Sequence, residues 1–211
     1  MSSSVFITGT DTEIGKTLVS KWICLHWKAD YWKPVQSGLQ AQTDSQKVAE
    51  ETTIQVHPET YRLTRPLSPH ESARLDGITL ELLAFKKPSA EKLVIEGAGG
   101  LLVPLNQSTL MVDLIAWLQV PCLLVASSQL GTINHTLLSL QALAARGLSC
   151  LGVVLSGPAN EANRRAIEHY GNTPVLAELP QLESTTTESL KSVPLPDALL
   201  QALNSPERRR V

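Results

Sequence analysis

The stretch Gly9-Thr10-Asp11-Thr12-Glu13-Ile14-Gly15-Lys16-Thr17 constrains this chain more than any other. It follows the apolar run Val5-Phe6-Ile7 and precedes a helical pattern in which Leu18, Val19, Trp22, Ile23 and His26 share one face. A strand, a glycine-bearing turn ending in Gly-Lys-Thr, and a helix together make a phosphate cradle. Backbone N–H groups at the helix start face the anion, Lys16 reaches the terminal phosphates, and the Thr17 hydroxyl takes a place on Mg²⁺. The common form of this loop has a glycine five positions before the one in Gly-Lys-Thr. Here that position is Thr10, and the upstream glycine is Gly9.

Short apolar runs alternate with helical patterns along the rest of the chain. Strands are predicted at 4–8, 31–35, 93–96, 122–126, 151–155 and 175–178. They are rich in β-branched residues without clean polar alternation, and helices separate them. That order predicts a three-layer α/β fold, a mostly parallel sheet with helices on both faces. The 211 residues suffice for one such domain spanning 1–211. Ligands of these sheets bind beyond the carboxyl ends of the strands, and each motif described here follows a strand directly. Segment 41–90 is more polar and is punctuated by His57-Pro58, Arg65-Pro66-Leu67-Ser68-Pro69 and Lys87-Pro88, which predict loops. The Ser/Thr/Glu-rich stretch 184–189 predicts a mobile connection, and Arg208-Arg209-Arg210 a solvated tail.

Lysine and arginine number 18 against 20 aspartates and glutamates, a formal net charge of −2. So even a balance argues against nucleic acid or an anionic membrane as the main partner. Cys24, Cys122 and Cys150 lie far apart in apolar runs, which fits buried thiols better than a disulfide or metal site. Residues 1–4 lack the basic start and apolar stretch of a signal peptide, and the expectation is a cytoplasmic enzyme.

Four further stretches carry candidate chemistry. In Trp32-Lys33-Pro34-Val35-Gln36-Ser37-Gly38, Lys33 and Ser37 either point into one crevice or are a surface lysine and a turn serine. In Thr43-Asp44-Ser45, Asp44 is either a helix cap or a carboxylate free to serve Mg²⁺. Glu96 ends the strand in Leu93-Val94-Ile95-Glu96-Gly97-Ala98-Gly99-Gly100, the usual place for a second metal contact beside a phosphate loop. The small residues after it let backbone approach a ligand. Finally, Gly131, Thr132, Ile133 and Asn134 open a helix whose free N–H groups suit a carboxylate. His135 beside them is either a base or, more commonly at a helix start, a capping or packing residue.

Together these stretches resemble the dethiobiotin synthetase family. The matching blocks are 9–17, 33–38, Ser68-Pro69-His70, 96–100 and 130–135, in the family's order between about residues 4 and 182. The resemblance implies a P-loop NTPase-like fold and an ATP-dependent cyclo-ligase. The implied reaction is Mg²⁺-ATP-dependent ring closure of 7,8-diaminononanoate with CO₂ to dethiobiotin, ADP and phosphate, by way of a carbamate and a carbamic-phosphoric anhydride. It implies Lys16 and Lys33 as catalytic cations, and Mg²⁺ held by Thr17, Asp44 and Glu96. The nucleotide would meet Glu13, Ile14, Gly15, Lys16, Thr17, Leu18, Asp44, Glu96, Gly97, Ala98, Gly99, Ser156, Gly157, Pro180, Gln181 and Leu182. Thr12 and Ser37 would hold the substrate's amine or carbamate end. Its distant carboxylate would reach Gly131, Thr132, Ile133 and Asn134 of a partner chain, which implies a homodimer.

Two departures from the family stand out. Many members carry Asn-Asp after the fifth strand, where this chain has Ser156-Gly157. One hydroxyl in place of an amide's donor–acceptor pair predicts a looser preference for the base, with Gln181 as a possible substitute contact. The segment between Ser37 and Asp44 is short, which predicts a reduced lid. Two other readings compete. Cobyrinate-amidating relatives normally carry a glutaminase domain with a nucleophilic cysteine, and none of the three cysteines here lies in a Gly-flanked elbow. A P-loop switch ATPase of the partition or division-site type usually has a second lysine just inside the loop, where Asp11 and Thr12 stand here. That reading also leaves the block from Lys33 to Ser37 without a purpose.

Overall fold

The computed structural model describes residues 3–50 and 52–205; the arginines at 208–210 lie outside the described residues. The chain begins with strand β1 (Ser3–Gly9), helix α1 (Lys16–Trp27), and the short strands β2 (Asp30–Trp32) and β3 (Val35–Ser37). Helix α2 (Asp44–Ala49), strands β4 (Val56–His57) and β5 (Tyr61–Leu63) and helix α3 (Pro69–Asp76) follow. The second half alternates regularly: β6 (Lys92–Gly100), α4 (Met111–Leu118), β7 (Cys122–Ser127), α5 (Thr132–Ala144), β8 (Cys150–Ser156), α6 (Glu161–Gly171) and β9 (Val175–Leu179). Helices α7 (Thr187–Ser192) and α8 (Asp197–Asn204) close the described chain.

Seven strands form one sheet in the order β4-β2-β6-β1-β7-β8-β9, and every neighbouring pair is parallel. Side chains alternate between two cores. Phe6, Leu93, Ile95 and Leu124 face the layer containing α4, α5 and α6; Val5, Ile7, Val94 and Leu123 face α1, α7 and α8. This two-sided burial is why the strands show no polar alternation in the sequence. Val19, Trp22 and Ile23 are wholly buried beneath α1, as its periodicity predicts. Burying side chains of this size stabilises by roughly 2–3 kcal/mol each. Cys24, Cys122 and Cys150 are buried free thiols. Among the described residues no helix is long and apolar enough to cross a membrane.

The structure departs from the sequence expectation in three places. The strand expected at 31–35 is two strands in different sheets: β2 joins the main sheet, and β3 pairs with β5 in a separate two-stranded one. Pro34 lies at the break. It has no N–H to continue the ladder, and its carbonyl instead accepts from the N–H groups of Thr60 and Tyr61, both at 3.0 Å. The strand expected at 93–96 continues to Gly100, opposite Gly9. The stretch 184–189 expected to be a mobile connection includes the start of α7, where the Thr186 hydroxyl accepts from Ser189 N; just beyond it Leu190 is buried and Val193 O accepts from Trp22 Nε1 at 2.8 Å.

Candidate active site

Strand β1 delivers the chain to the phosphate loop at the carboxyl edge of the sheet. Two glycines shape that loop. A Cβ at Gly9 would lie 2.8 Å from Ile14 Cδ1 and 2.9 Å from Lys16 Cδ, so the upstream glycine makes room for the lysine's own stem. Gly15 has φ of 93°, and a Cβ there would meet Ser156 Oγ at 2.5 Å. Lys16 then starts α1 and donates from Nζ to the Asp11 carbonyl at 2.6 Å. Burial lowers its pKa to about 8, although the negative charge of Glu96 opposes the shift; the nearby charge of Lys33 lowers it further.

The second cation lies just past β2. Lys33 is buried, and its Nζ reaches Asp44 Oδ2 at 2.7 Å, Glu96 Oε1 at 2.9 Å and the Gly97 carbonyl at 3.1 Å. Burial alone would lower its pKa, but Glu96 and Asp44 outweigh that and hold it above the ordinary lysine value. Burial works against ionisation of Asp44 as well, and Lys33 again outweighs it, leaving that carboxyl below its usual value. The Thr17 hydroxyl donates to Glu96 Oε1 at 2.8 Å, and the Tyr31 hydroxyl to Glu96 Oε2 at 2.9 Å. Glu96 falls on the α1 side of β6 by the same alternation that places Val94 there.

The helix cap beside Asp44 is Thr43. Its hydroxyl accepts from Gln46 N at 3.2 Å, and the Gln46 side chain accepts from Thr43 N at 2.8 Å. With that role filled, the Asp44 carboxylate is turned to Lys33. Gln36 ties the two segments together: its Oε1 accepts from Asp44 N at 3.1 Å, and its Nε2 donates to the Ser37 carbonyl at 3.0 Å.

Lys16, Thr17, Lys33, Gln36, Asp44 and Glu96 line one cavity of about 1070 Å³. Of the residues singled out in the sequence, Thr12, Glu13, Gly15, Lys16, Thr17, Leu18, Lys33, Ser37, Asp44, Glu96, Ala98 and Gly99 line it. The Ser37 hydroxyl is buried without a partner. Ile14 packs over Gly9, and Gly97 sits against the Phe6 ring. Ser156, Gly157, Pro180, Gln181 and Leu182 do not line the cavity; Ser156 ends β8 and the others follow the adjacent ends of β8 and β9, where Gly157 N donates to Leu179 O at 2.9 Å. Residues 131–134 are also outside it. They open α5 at a second, 430 Å³ groove that His135 and Leu138 line, and Asp11, Gly100 and Val103 border both spaces. One copy of the chain therefore does not bring 131–134 to the Lys33 cluster.

Thr17, Asp44 and Glu96 offer hard oxygen donors, the chemistry Mg²⁺ requires. Among the described residues no group of three or more His, Cys, Asp or Glu could hold a metal. These donors would suit a Mg²⁺ that completes its shell with phosphate oxygens and water, its usual habit. Two contributors escaped the sequence reading. Tyr31 looked like one more aromatic in a buried strand, and Gln36 was read only as part of its block.

Residues 3–189 match the model of a family described as an AAA domain. Over 194 residues the chain is 47% identical to the ATP-dependent dethiobiotin synthetase of Paramagnetospirillum magneticum, covering 91% of this chain and 95% of that protein. The chain belongs to the dethiobiotin synthetase family. The enzyme of that name from Lawsonia intracellularis is 47% identical over 93% of this chain and 97% of its own length, and that of Brucella ovis 48% over 90% and 92%. In space, four of the five dethiobiotin synthetase blocks contribute to the larger cavity, Ser68 and Pro69 speaking for the third; the fifth lies at the groove. The septum site-determining protein MinD of Pyrococcus horikoshii, complexed with Mg-ADP, superposes with a TM-score of 0.61 at 14% identity, covering 98% of this chain and 97% of that one. A ParA family ATPase from Chlorobium tepidum superposes at 0.51 with 11% identity, over 98% and 99%. Those neighbours share the P-loop NTPase fold. The synthetases are 47–48% identical to this chain, against 11–14% for these two neighbours, whose likeness is one of fold.

Proposed function

We propose that this chain catalyses the Mg²⁺-ATP-dependent closure of a cyclic urea on 7,8-diaminononanoate, using CO₂ and releasing dethiobiotin, ADP and phosphate. One observation carries the reading: the Lys33 ammonium, clamped by Asp44 and Glu96, shares a cavity with the phosphate loop and Lys16. One substrate amine adds to CO₂, forming a C–N bond and releasing a proton, and the product is a carbamate. A carbamate oxygen then attacks the γ-phosphorus, and the bond to ADP breaks. The second amine attacks the resulting anhydride at carbon, phosphate departs, and the ring closes with loss of another proton.

Two anions must meet in the middle step, and cations fixed in advance lower that barrier. Lys16 faces the triphosphate, and Lys33 faces the meeting point. Thr12 and Ser37 hold the amine or carbamate end; the unpartnered Ser37 hydroxyl favours this role. When bound at Thr17, Asp44 and Glu96, Mg²⁺ neutralises phosphate charge. The loop residues 13–18 and 97–99 flank the nucleotide, and its base lies toward Ser156, Gly157, Pro180, Gln181 and Leu182.

The substrate's far carboxylate is read as bound by residues 131–134 of a second copy. Leu102 and Leu138, both more than half exposed, flank the groove beside them and are read as the homodimer contact. We take residues 1–211 as a single cytoplasmic domain without nucleic acid or membrane partners, on its near-balanced charge.

The test is incubation with the diamine, bicarbonate, Mg²⁺ and ATP, with the product weighed by mass spectrometry. The cyclic urea is expected. Phosphate release that ignores the diamine and yields no ring would reject the reading. A Lys33→Gln variant is expected to bind ADP normally yet turn over about a hundredfold more slowly. Repeated with CTP and GTP, the assay is expected to show kcat/KM values within about a hundredfold of that for ATP, because Ser156 lacks an amide's paired contacts.

A further inference from the structure

We propose that Tyr31 is a positioning residue that holds Glu96 in the rotation presenting its Oε1 to the cavity. The proposal rests on reading the cavity as a Mg²⁺-nucleotide site. Tyr31 stands on β2 opposite Val94 of β6, and both Tyr31 and Glu96 are wholly buried. The two carboxylate oxygens divide their partners. Oε1 accepts from Thr17 Oγ1 at 2.8 Å and Lys33 Nζ at 2.9 Å, both cavity-lining residues. Oε2 accepts from the Tyr31 hydroxyl at 2.9 Å.

Packing alone does not call for that hydroxyl. Phenylalanine would fill the same space in this core, and the bond to Glu96 is what the oxygen adds. Without it, Oε2 is a buried carboxylate oxygen stripped of its phenol donor, and the group gains by turning toward Lys33 or Thr17. Oε1 then leaves its present partners Thr17 and Lys33, the groups that line the cavity. An ordinary tyrosine phenol keeps its proton at neutral pH, so Tyr31 is the donor in this bond. Donors one shell behind a metal ligand typically change metal affinity by about ten- to a hundredfold when removed.

The experiment compares the parent protein with Tyr31→Phe, using Mn²⁺ as the metal probe and reading free Mn²⁺ by electron paramagnetic resonance in the presence of ADP. Metal-free ADP affinity is measured separately in chelator. Tyr31→Phe is expected to weaken Mn²⁺ binding to the ADP complex by about tenfold or more and to leave metal-free ADP affinity within about twofold. Val94→Ala, a cavity-forming change directly across the ladder that does not touch the Glu96 hydrogen bonds, is expected to lower the melting temperature and keep the parent's Mn²⁺ affinity. Unchanged Mn²⁺ affinity in Tyr31→Phe would overturn the proposal. So would an equal loss of metal-free ADP binding, or an equal loss of Mn²⁺ affinity in Val94→Ala, since Tyr31 would then only pack. If the parent shows no metal-dependent ADP binding, the reading of the cavity itself falls, and the role of Tyr31 with it.

Discussion

Lys16 and Lys33 are both buried, yet their surroundings push their proton affinities in opposite directions. Lys33 touches two carboxylates and stays charged. Lys16 touches a carbonyl, and burial brings its pKa to about 8 from an ordinary 10.5. Between those values the unfolded chain binds more protons than the folded one, so this group's contribution to stability rises with pH across that window. A bound triphosphate restores the ammonium by attraction. Metal-free ATP binding at pH 8 is therefore expected to take up about half a proton. Calorimetry in buffers of differing ionisation enthalpy measures that uptake. Equal heats in all buffers would refute it, and Lys16→Arg, which stays charged, is expected to abolish the uptake. The loop itself was plain in the sequence. Whether Lys33 was a surface residue or a crevice residue was not, because only the fold brings Asp44 and Glu96 to its ammonium.

At the scale of elements, the site depends on two interruptions of regular structure. Pro34 ends β2 and sends the chain into β3, and the capping box at Thr43 starts α2 with Asp44 in its first turn. Thr43→Ala removes the hydroxyl that holds Gln46 N and is expected to lower stability by about 1 kcal/mol. It is also expected to raise the KM for Mg²⁺, since Asp44 loses its fixed start. Urea denaturation checks the first effect and metal-dependent kinetics the second; a stability loss with unaltered metal dependence would show that Gln36 alone positions Asp44. The longer strands were legible because buried β-branched runs are long enough to show a pattern. β4 and β5 were not, since two and three residues carry no readable period. The capped start of α7 was misread as a connection because its Ser/Thr/Glu composition serves caps and loops equally well.

At the scale of the molecule, residues 131–134 stand apart from the cavity that holds Lys33. The proposed reaction therefore asks for a second copy to complete each site. Leu138→Asp would place a charge on the face read as that contact. It is expected to yield a monomer by sedimentation velocity, with a raised KM for the diamine and unchanged ADP affinity. A dimer that persists with normal diamine kinetics would move the interface elsewhere. No sequence pattern announced this face: Leu138 belongs to an apolar helix whose Leu140 and Leu143 are buried, and only the folded helix shows which leucines point outward.

Strand β6 lies between β2 and β1, the strands that lead to Lys33 and Lys16. The hydrogen-bonded ladder thus acts as a ruler: two interstrand steps, about 10 Å in all, separate the strands from which the two cation-bearing segments emerge. Side chains in the cores can be exchanged without altering that gauge. A change that slips a backbone register would shift the two strand ends along one another and detune the enzyme's charge spacing.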